Sequence, residues 1–557
     1  MPAFDPFYVD DIYCALHRAD AAKRRGVCVV VSPPMGRDAR YVYRSMVIFA
    51  DTLAKRGFDV VRYDPAAEGD SGDLTLDADQ WAAWTSGLVK VTEAARELTG
   101  AKTCVLFGLR IGATVARVAA EAAGADGLVL LDPMAKGAAW IQELIFWRAM
   151  FIEPAPPESA VESLGLRISH ATKASLETLD LATLPPLDIP CLYASPIKND
   201  GVIRALGAKT DIIPFKGYAS FFKEGHVNAY PEWTFDQVRE WLESNFVPAT
   251  LLGPQVDPAK RRLEGDGYAE EPVVFGADHI GTLTLPLGAE AHTAVLIGNT
   301  GADPRSGPGN FSTFMARTLA RRNIATLRID FDGLGESDPR FGLRVSVYDQ
   351  SRTETFQQAA DFMAARGFNQ LDLVGLCTGG YHALHALFSD PRFSKVMIIN
   401  AWLVYSEDMQ LDRQSFLRAL RSKFMDAQPD LATRVDPLID TVRALIPAAS
   451  PKRPAAPEPA LPEEIHPVAQ ATFDRINGAL QADRKITLLM GHRDPSRGGL
   501  ARFGTGGLEE MLKNGMVQHL EAIDHGLFAL DSQKIALARI VDFLQPAMPE
   551  SAFAAKA

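Results

Sequence analysis

The sequence predicts an α/β protein of two successive domains, each a mostly parallel sheet with helices on both faces. Three observations carry this reading. The chain has 557 residues, more than one hydrophobic core usually organises. Short β-branched apolar runs alternate with helical stretches, the rhythm of right-handed βαβ units. The same order of signals is then met a second time, at domain length, so the repeat is a duplicated domain and not a solenoid.

In the first half, residues 27–31 (Val-Cys-Val-Val-Val) form a fully apolar run that stops at Ser32-Pro33-Pro34, as a buried parallel strand does. A helical stretch over 43–56 ends at Gly57, followed by a strand at 59–63 and the Gly-rich turn 69–72. A helix, a strand at 103–107, a sharp turn into an Ala-rich helix from Ala113 and a strand at 127–131 complete this half, with a late strand at 191–195. The second half repeats the series: strand 294–298, helix 311–321, strand 325–329, turn 332–337, strand 371–374, a sharp turn into a helix, and strand 395–399. Strands at 486–490 and 516–520 and a helix from Ser532 close it. The Gly-Pro-rich stretch after Phe246 places the boundary, giving an N-terminal domain over 1–247, a linker over 248–264, a C-terminal domain over 265–547 and a tail over 548–557. Two stretches, 138–187 and 404–482, interrupt the rhythm and read as helical caps over the C-terminal edge of each sheet. The second cap holds Pro447, Pro451, Pro454, Pro457, Pro459 and Pro462, the composition of an extended segment. The first holds the apolar run 140–147, better suited to cap packing or an interdomain contact than to a membrane surface because it has few basic residues.

Composition narrows the function classes. A formal net charge of -12 argues against nucleic acid as a partner, since a phosphate-binding face needs clustered Lys and Arg. No uncharged apolar run reaches the roughly 18 residues of a membrane span, and Met1-Pro2-Ala3-Phe4-Asp5 has no secretory character, so a cytoplasmic location is expected. Cys14, Cys28, Cys104 and Cys191 lie in strand-like runs, where a reduced buried thiol is the default. The fifth cysteine has another context.

Gly375-Leu376-Cys377-Thr378-Gly379-Gly380 lies between an apolar strand and a helix. This is the setting of the G-x-S-x-G nucleophile elbow of α/β-hydrolases, with Cys in place of Ser. Small neighbours are needed because the nucleophile's backbone is strained, and the helix start favours a thiolate. Downstream, Gly491-His492-Arg493-Asp494 puts a carboxylate just past a strand, and Ile523-Asp524-His525-Gly526 follows the last one. The order nucleophile, acid, base is the order used on this fold. His525 would take the thiol proton, and Asp494 would orient its imidazole and offset its charge. For the oxyanion, the candidate donors are the amide of Thr378 and an amide of the Asn299-Thr300-Gly301 turn, with Thr300 nominated. His492 and Asp524 are rivals for the base and acid roles, but their places, one shortly before the acid and one directly before the base, make them supporting or surface residues. His382 and His385 share a helix face but lack a third ligand, so helix packing is expected and neither a metal nor a cofactor is called for.

The first half has the same elbow, Gly108-Leu109-Arg110-Ile111-Gly112-Ala113, with Arg110 in the nucleophile slot. A guanidinium stays protonated and cannot attack, so this domain should be non-catalytic even though Asp200 and His226 occupy acid and base positions. A cation at a helix start needs a negative partner. Glu68, Asp70 and Asp132 are candidates within the chain; the alternative is an anionic ligand that Arg110, His226 and Asp200 would help to hold.

These motifs carry a resemblance. The second half resembles the first of two hydrolase families associated with the exosortase A system of exopolysaccharide-producing bacteria, through Ser306-Gly307-Pro308-Gly309-Asn310-Phe311, Gly333-Leu334-Gly335-Glu336-Ser337, the Cys377 elbow and Ile399-Asn400-Ala401-Trp402. The first half resembles the second family through Pro33-Pro34, Glu68-Gly69-Asp70-Ser71 and the Arg110 elbow. The resemblance implies a tandem α/β-hydrolase of the serine-aminopeptidase-like type, found beside carrier-linked acyl activation and polysaccharide assembly. The Cys elbow is also similar to those of dienelactone hydrolases and polyhydroxyalkanoate synthases. The expected function is an acyl hydrolase acting on a small-molecule or carrier-linked ester or thioester through an acyl-cysteine. An acyltransferase with a thioester donor shares that intermediate, and a non-catalytic scaffold is the reading from another class.

Overall fold

The computed structural model describes residues 4–151, 161–223, 228–249, 252–276, 278–288, 290–291, 293–337, 347–349, 352–405, 467–491, 494, 496, 511, 515–520 and 523–545. Two sheets form its body. The first runs through β1 (Asp5–Val9), β2 (Ile12–His17), β3 (Val27–Ser32), β4 (Asp59–Tyr63), β5 (Thr103–Leu109), β6 (Gly127–Leu131), β9 (Cys191–Ser195) and β10 (Thr210–Pro214), in the spatial order β1-β2-β4-β3-β5-β6-β9-β10. A separate hairpin, β7 (Val161–Ser163) and β8 (Leu166–Ile168), belongs to the cap.

The second sheet contains β11 (Leu263–Gly265), β12 (Tyr268–Phe275), β13 (His279–Pro286), β14 (Thr293–Ile297), β15 (Ile324–Ile329), β16 (Leu371–Leu376), β17 (Phe393–Ile399), β18 (Lys485–Gly491) and β19 (Val517–Leu520). Its order, β11-β12-β13-β15-β14-β16-β17-β18-β19, repeats that of the first sheet with one strand added at the edge. From β4 and β15 onward the pairings are parallel, and the central strands β3, β5, β6, β14, β16 and β17 are mostly apolar and buried, as strands covered by helices on both faces are.

Three features differ from the sequence reading. Each half opens with antiparallel strands; the run around Cys14 in β2 reads as strand-like, but strands such as β1 and β12 mix polar with apolar residues and escape the apolar-run criterion, and Asp10 takes φ 52° at the β1–β2 turn. The first cap is not wholly helical: beside helix Gly137–Phe151 it carries the β7–β8 hairpin, closed by Leu164 and Gly165 at φ 50° and 92°. The second sheet starts at Leu263, and residues 252–262 lie along the first half, where the Val256 amide donates to Leu98 O at 2.9 Å. Most of the second cap and its proline run, 406–466, is outside the described residues, as is the tail over 548–557.

One face of the run 140–147 packs inward, while Ile145 is exposed. Trp140, Ile141 and Leu144 are buried, and Trp140 meets Trp84 edge to face at 6.2 Å. No helix among the described residues is long and apolar enough to cross a membrane.

Candidate active site

β16 delivers Cys377 to a one-residue turn before helix Thr378–Ser389, with φ 53° and ψ −123°. The glycines are required by space. A Cβ on Gly375 would lie 2.4 Å from the Gly379 carbonyl carbon, and one on Gly379 would lie 2.7 Å from Asn299 O. The Cys377 amide donates to Ile399 O at 2.9 Å, tying the elbow to β17. Its thiol is partly exposed, whereas Cys14, Cys28, Cys104 and Cys191 are buried.

His525 Nδ1 lies 2.7 Å from Asp494 Oδ2, and the Cys377 sulfur is near enough to the ring to act on its titration, so the three side chains come together at one place. Asp494 is buried beneath the ring; its Oδ1 accepts from the Ser496 amide at 2.8 Å and from the Ser496 hydroxyl. Burial pushes the Asp494 carboxyl up, but the His525 ring and the Ser496 donors outweigh it and hold the group below the usual carboxylate range. Burial likewise pulls the His525 ring down, yet the Asp494 carboxylate and the Cys377 sulfur hold it well above an ordinary histidine.

Two residues that sequence reasoning did not assign complete this side. Asn400, at φ 47° after β17, donates from Nδ2 to the carbonyls of Asp524 at 2.9 Å and His525 at 3.1 Å. Its Oδ1 accepts from the Gly491 amide at 2.8 Å, so one side chain joins the loops carrying the acid and the base. Tyr348 stacks on Tyr405 at 4.3 Å; burial and then the charge of Cys377 push its hydroxyl well up. The sequence signal for Asn400 was present, a polar residue ending an apolar strand just after the elbow helix; Tyr348 had none. Asp524 holds its own turn, accepting from the amides of Phe528 at 2.8 Å and Ala529 at 3.0 Å, while His492 is outside the described residues.

Thr378 is buried, and its hydroxyl accepts from the Gly301 amide at 2.7 Å, which draws the turn holding Thr300 against the elbow. The Thr378 amide is the first of its helix and has no intrahelical acceptor. His382 and His385 are packed rings. Nε2 of His382 meets Val347 O at 2.8 Å, His385 lies on Tyr381, and burial pulls them down to about 3 and about 4.

In the first half, Arg110 has φ 55° and ψ −126°, the backbone of an elbow, and its side chain is enclosed by carboxylates. Nε donates to Asp38 at 3.2 Å, Nη1 to Asp132 at 2.8 Å, and Nη2 to both oxygens of Glu143 at 2.7 and 2.6 Å. Of the partners named from sequence, Asp132 is there. Asp70 and Glu68 are engaged elsewhere, with Arg328 and Asn310, because the turn they occupy faces the other half. Asp200 is exposed at the start of helix Asp200–Leu206 and pairs with Lys198 at 2.9 Å. His226 is outside the described residues.

Residues 39–179 match the family described as serine aminopeptidase, S33. No curated protein matches the chain. Among solved structures, the chain is similar to an α/β serine hydrolase without a lid from Xanthomonas campestris, at 15% identity over 45% of this chain and 97% of that one, with a TM-score of 0.28. Est1E of Butyrivibrio proteoclasticus, solved with ferulic acid, is 16% identical over 43% of this chain and 98% of its own (TM-score 0.33). A dienelactone hydrolase from Anabaena variabilis is 15% identical over 50% and 98% (TM-score 0.31). With its twice-used strand order and strained strand-to-helix elbows, this chain has the α/β-hydrolase fold, and its segment 39–179 is similar to the serine aminopeptidase family.

Proposed function

We propose that the protein is an acyl hydrolase that works through a covalent acyl-Cys377 intermediate, with His525 as base and acid and Asp494 as its orienting carboxylate. The observation that carries this is the Asp494–His525 hydrogen bond set beside Cys377 on its strained elbow. The Cys377 sulfur adds to the carbonyl carbon of an ester or thioester as its proton passes to His525. The tetrahedral oxyanion accepts from the Thr378 amide and an amide of the Thr300 turn. Collapse breaks the bond to the leaving alcohol or thiol, which takes the proton from the His525 imidazolium. Water then gives a proton to His525 and adds to the acyl carbon; the C–S bond breaks, the carboxylic acid leaves, and Cys377 is regenerated.

The first half takes no covalent part in this reading, since Arg110 fills its nucleophile position. The test is intact-protein mass spectrometry after exposure to panels of activated esters and acyl thioesters. An adduct on Cys377 in the wild type, absent in Cys377→Ala, is the expected result, and its mass names the acyl class. Turnover should fall by at least ~10²-fold in Cys377→Ala and His525→Ala. Unchanged hydrolysis in Cys377→Ala would sink the assignment, and release of the adduct only to an added thiol would make the enzyme a transferase.

A further inference from the structure

The two loops that carry the candidate site of the second half are both held by side chains of the first. Arg40, on helix Arg37–Lys55, lies between them. Its Nη2 is 3.1 Å from Asp303 Oδ2, and its guanidinium carbon is 4.9 Å from the centroid of the Phe528 ring. Asp303 belongs to the oxyanion arm: its amide donates to Thr300 O at 3.0 Å, and its carbonyl accepts from Asn299 Nδ2 at 2.9 Å. Phe528 belongs to the loop of the base, three residues past His525, with its amide bound to Asp524. A planar guanidinium can hold a carboxylate at its edge and stack an aromatic ring on its flat face at once.

The far end of the His525 loop is fixed from the same side. Glu162 in β7, paired with Arg148 at 3.3 Å, accepts from the Leu530 amide at 2.5 Å. Leu530 begins helix Leu530–Leu544, where a carboxylate is also favoured by the helix dipole. The surfaces meet without slack nearby, since a Cβ on Gly165 would lie 2.0 Å from Gly309 Cα.

We propose that the first half is a built-in positioning partner of the Cys377 site. Arg40 sets the spacing between the Thr300 arm and the His525 loop, and Glu162 anchors the end of that loop. This rests on the reading of Cys377 as nucleophile. Arg40 and Glu162 touch no reacting atom; they act by holding the base and the oxyanion donors in register, and displacements of the order of 1 Å are enough to slow such chemistry. The duplicated half that lacks a nucleophile thereby acquires a role in turnover at the half that has one.

The test uses the full chain with 4-nitrophenyl acetate, at a temperature well below every variant's Tm, comparing wild type, Cys377→Ala, Arg40→Ala, Arg40→Lys, Glu162→Ala and Glu162→Gln. Arg40→Ala and Glu162→Ala should lower kcat about tenfold or more with KM nearly unchanged, because the base is displaced and not the substrate. Glu162→Gln should recover most of the rate, since its amide oxygen still accepts from Leu530. Arg40→Lys should recover part, keeping the pair with Asp303 and losing the stack on Phe528. Wild-type kcat in both alanine variants, or a loss that follows Tm and is rescued by neither conservative change, overturns the proposal. If Arg40→Ala does not fold, Phe528→Leu removes the ring and keeps the ion pair, and wild-type kcat there counts against the proposal equally. A wild type whose turnover survives Cys377→Ala overturns the nucleophile assignment itself, and this inference with it.

Discussion

Cys377 and Arg110 occupy the same strained backbone, φ 53° and 55°, in the two halves, and only the side chain decides what each elbow can do. Such a conformation in a non-glycine residue stores about 1–3 kcal/mol, which the surrounding sheet and helix must over-determine. At Arg110 the charge is answered inside the chain by Asp38, Asp132 and Glu143. Arg110→Ala would leave those carboxylates without their common partner, and removing one side of a buried ion pair costs about 3–5 kcal/mol. A clear fall in Tm with unchanged KM at Cys377 is expected, checked by thermal melting beside kinetics; a raised KM at unchanged Tm would reveal an anionic ligand instead. At the other elbow, the Asp494–His525 pair sets a pH window. Asp494 is held below the ordinary carboxylate, so its contribution is complete above about 4 and is lost as pH falls through its lowered pKa. His525 is held above the ordinary histidine, so its contribution is complete below about 6.5 and is lost as pH rises through its raised pKa. The Tm advantage of wild type over His525→Ala should therefore be flat between about pH 4 and 6.5 and shrink on either side. A difference that grows toward alkaline pH would contradict the pairing.

Among the elements, the elbow helices are seated by glycines whose neighbours leave no room for a side chain. A Cβ on Gly112 would lie 2.1 Å from Pro33 O, as one on Gly379 would press on Asn299 O, so in both halves the helix start approaches the loop after the first parallel strand. That approach brings the Thr300 turn to Thr378 in the second half. Gly375→Ala, with its Cβ 2.4 Å from backbone, is expected to destabilise by about 1–3 kcal/mol and to lower turnover, measured by denaturant unfolding and ester hydrolysis. Much of this was legible at the level of runs and turns. The strands at 59–63, 127–131 and 191–195 agree with the sequence reading to the residue, because strands buried in the sheet leave short, mostly apolar runs bounded by turn residues. Apart from the run around Cys14, the antiparallel strands and the cap hairpin were not legible in this way, since strands of mixed polarity do not form such runs.

Across the whole molecule the two halves face each other through a buried charge network with approximate twofold symmetry. Arg62 of β4 donates to Glu336 at 2.6 Å, and Arg328 of β15, its counterpart, donates to Asp70 at 2.6 Å. Arg305 pairs with Asp70, Asp330 and Glu336, while Arg317 and Arg328 both hold Glu270. Glu336→Gln would leave Arg62 buried without a counter-charge, and a loss of about 3–5 kcal/mol is expected in equilibrium unfolding. Two further groups make this surface sensitive to pH. Burial and the charge of Asp70 push Asp64 up to about 8, and burial pushes Glu68, bonded to Asn310 of the other half, up to about 7. The folded state thus keeps protons that the unfolded chain has released above about pH 4, so stability falls as pH rises from about 4 to 8. Asp64→Asn should flatten that slope in melting experiments, and an unchanged slope would count against a protonated Asp64.

The sequence alone determined the repeated α/β rhythm and singled out Cys377, Asp494 and His525, because strand burial and the elbow's need for small neighbours are local demands that leave local marks. It also held an unread sign of the surface between the halves: an arginine next to the last residue of two mostly apolar strands, Arg62 and Arg328. What Arg62, Arg328, Asp70 and Glu336 pair with, and the reach of Arg40 and Glu162 to the loops of the site, only the tertiary structure decided. Those partners are separated by up to 368 positions in the chain, and a charge pair carries no periodicity by which one member could point to the other.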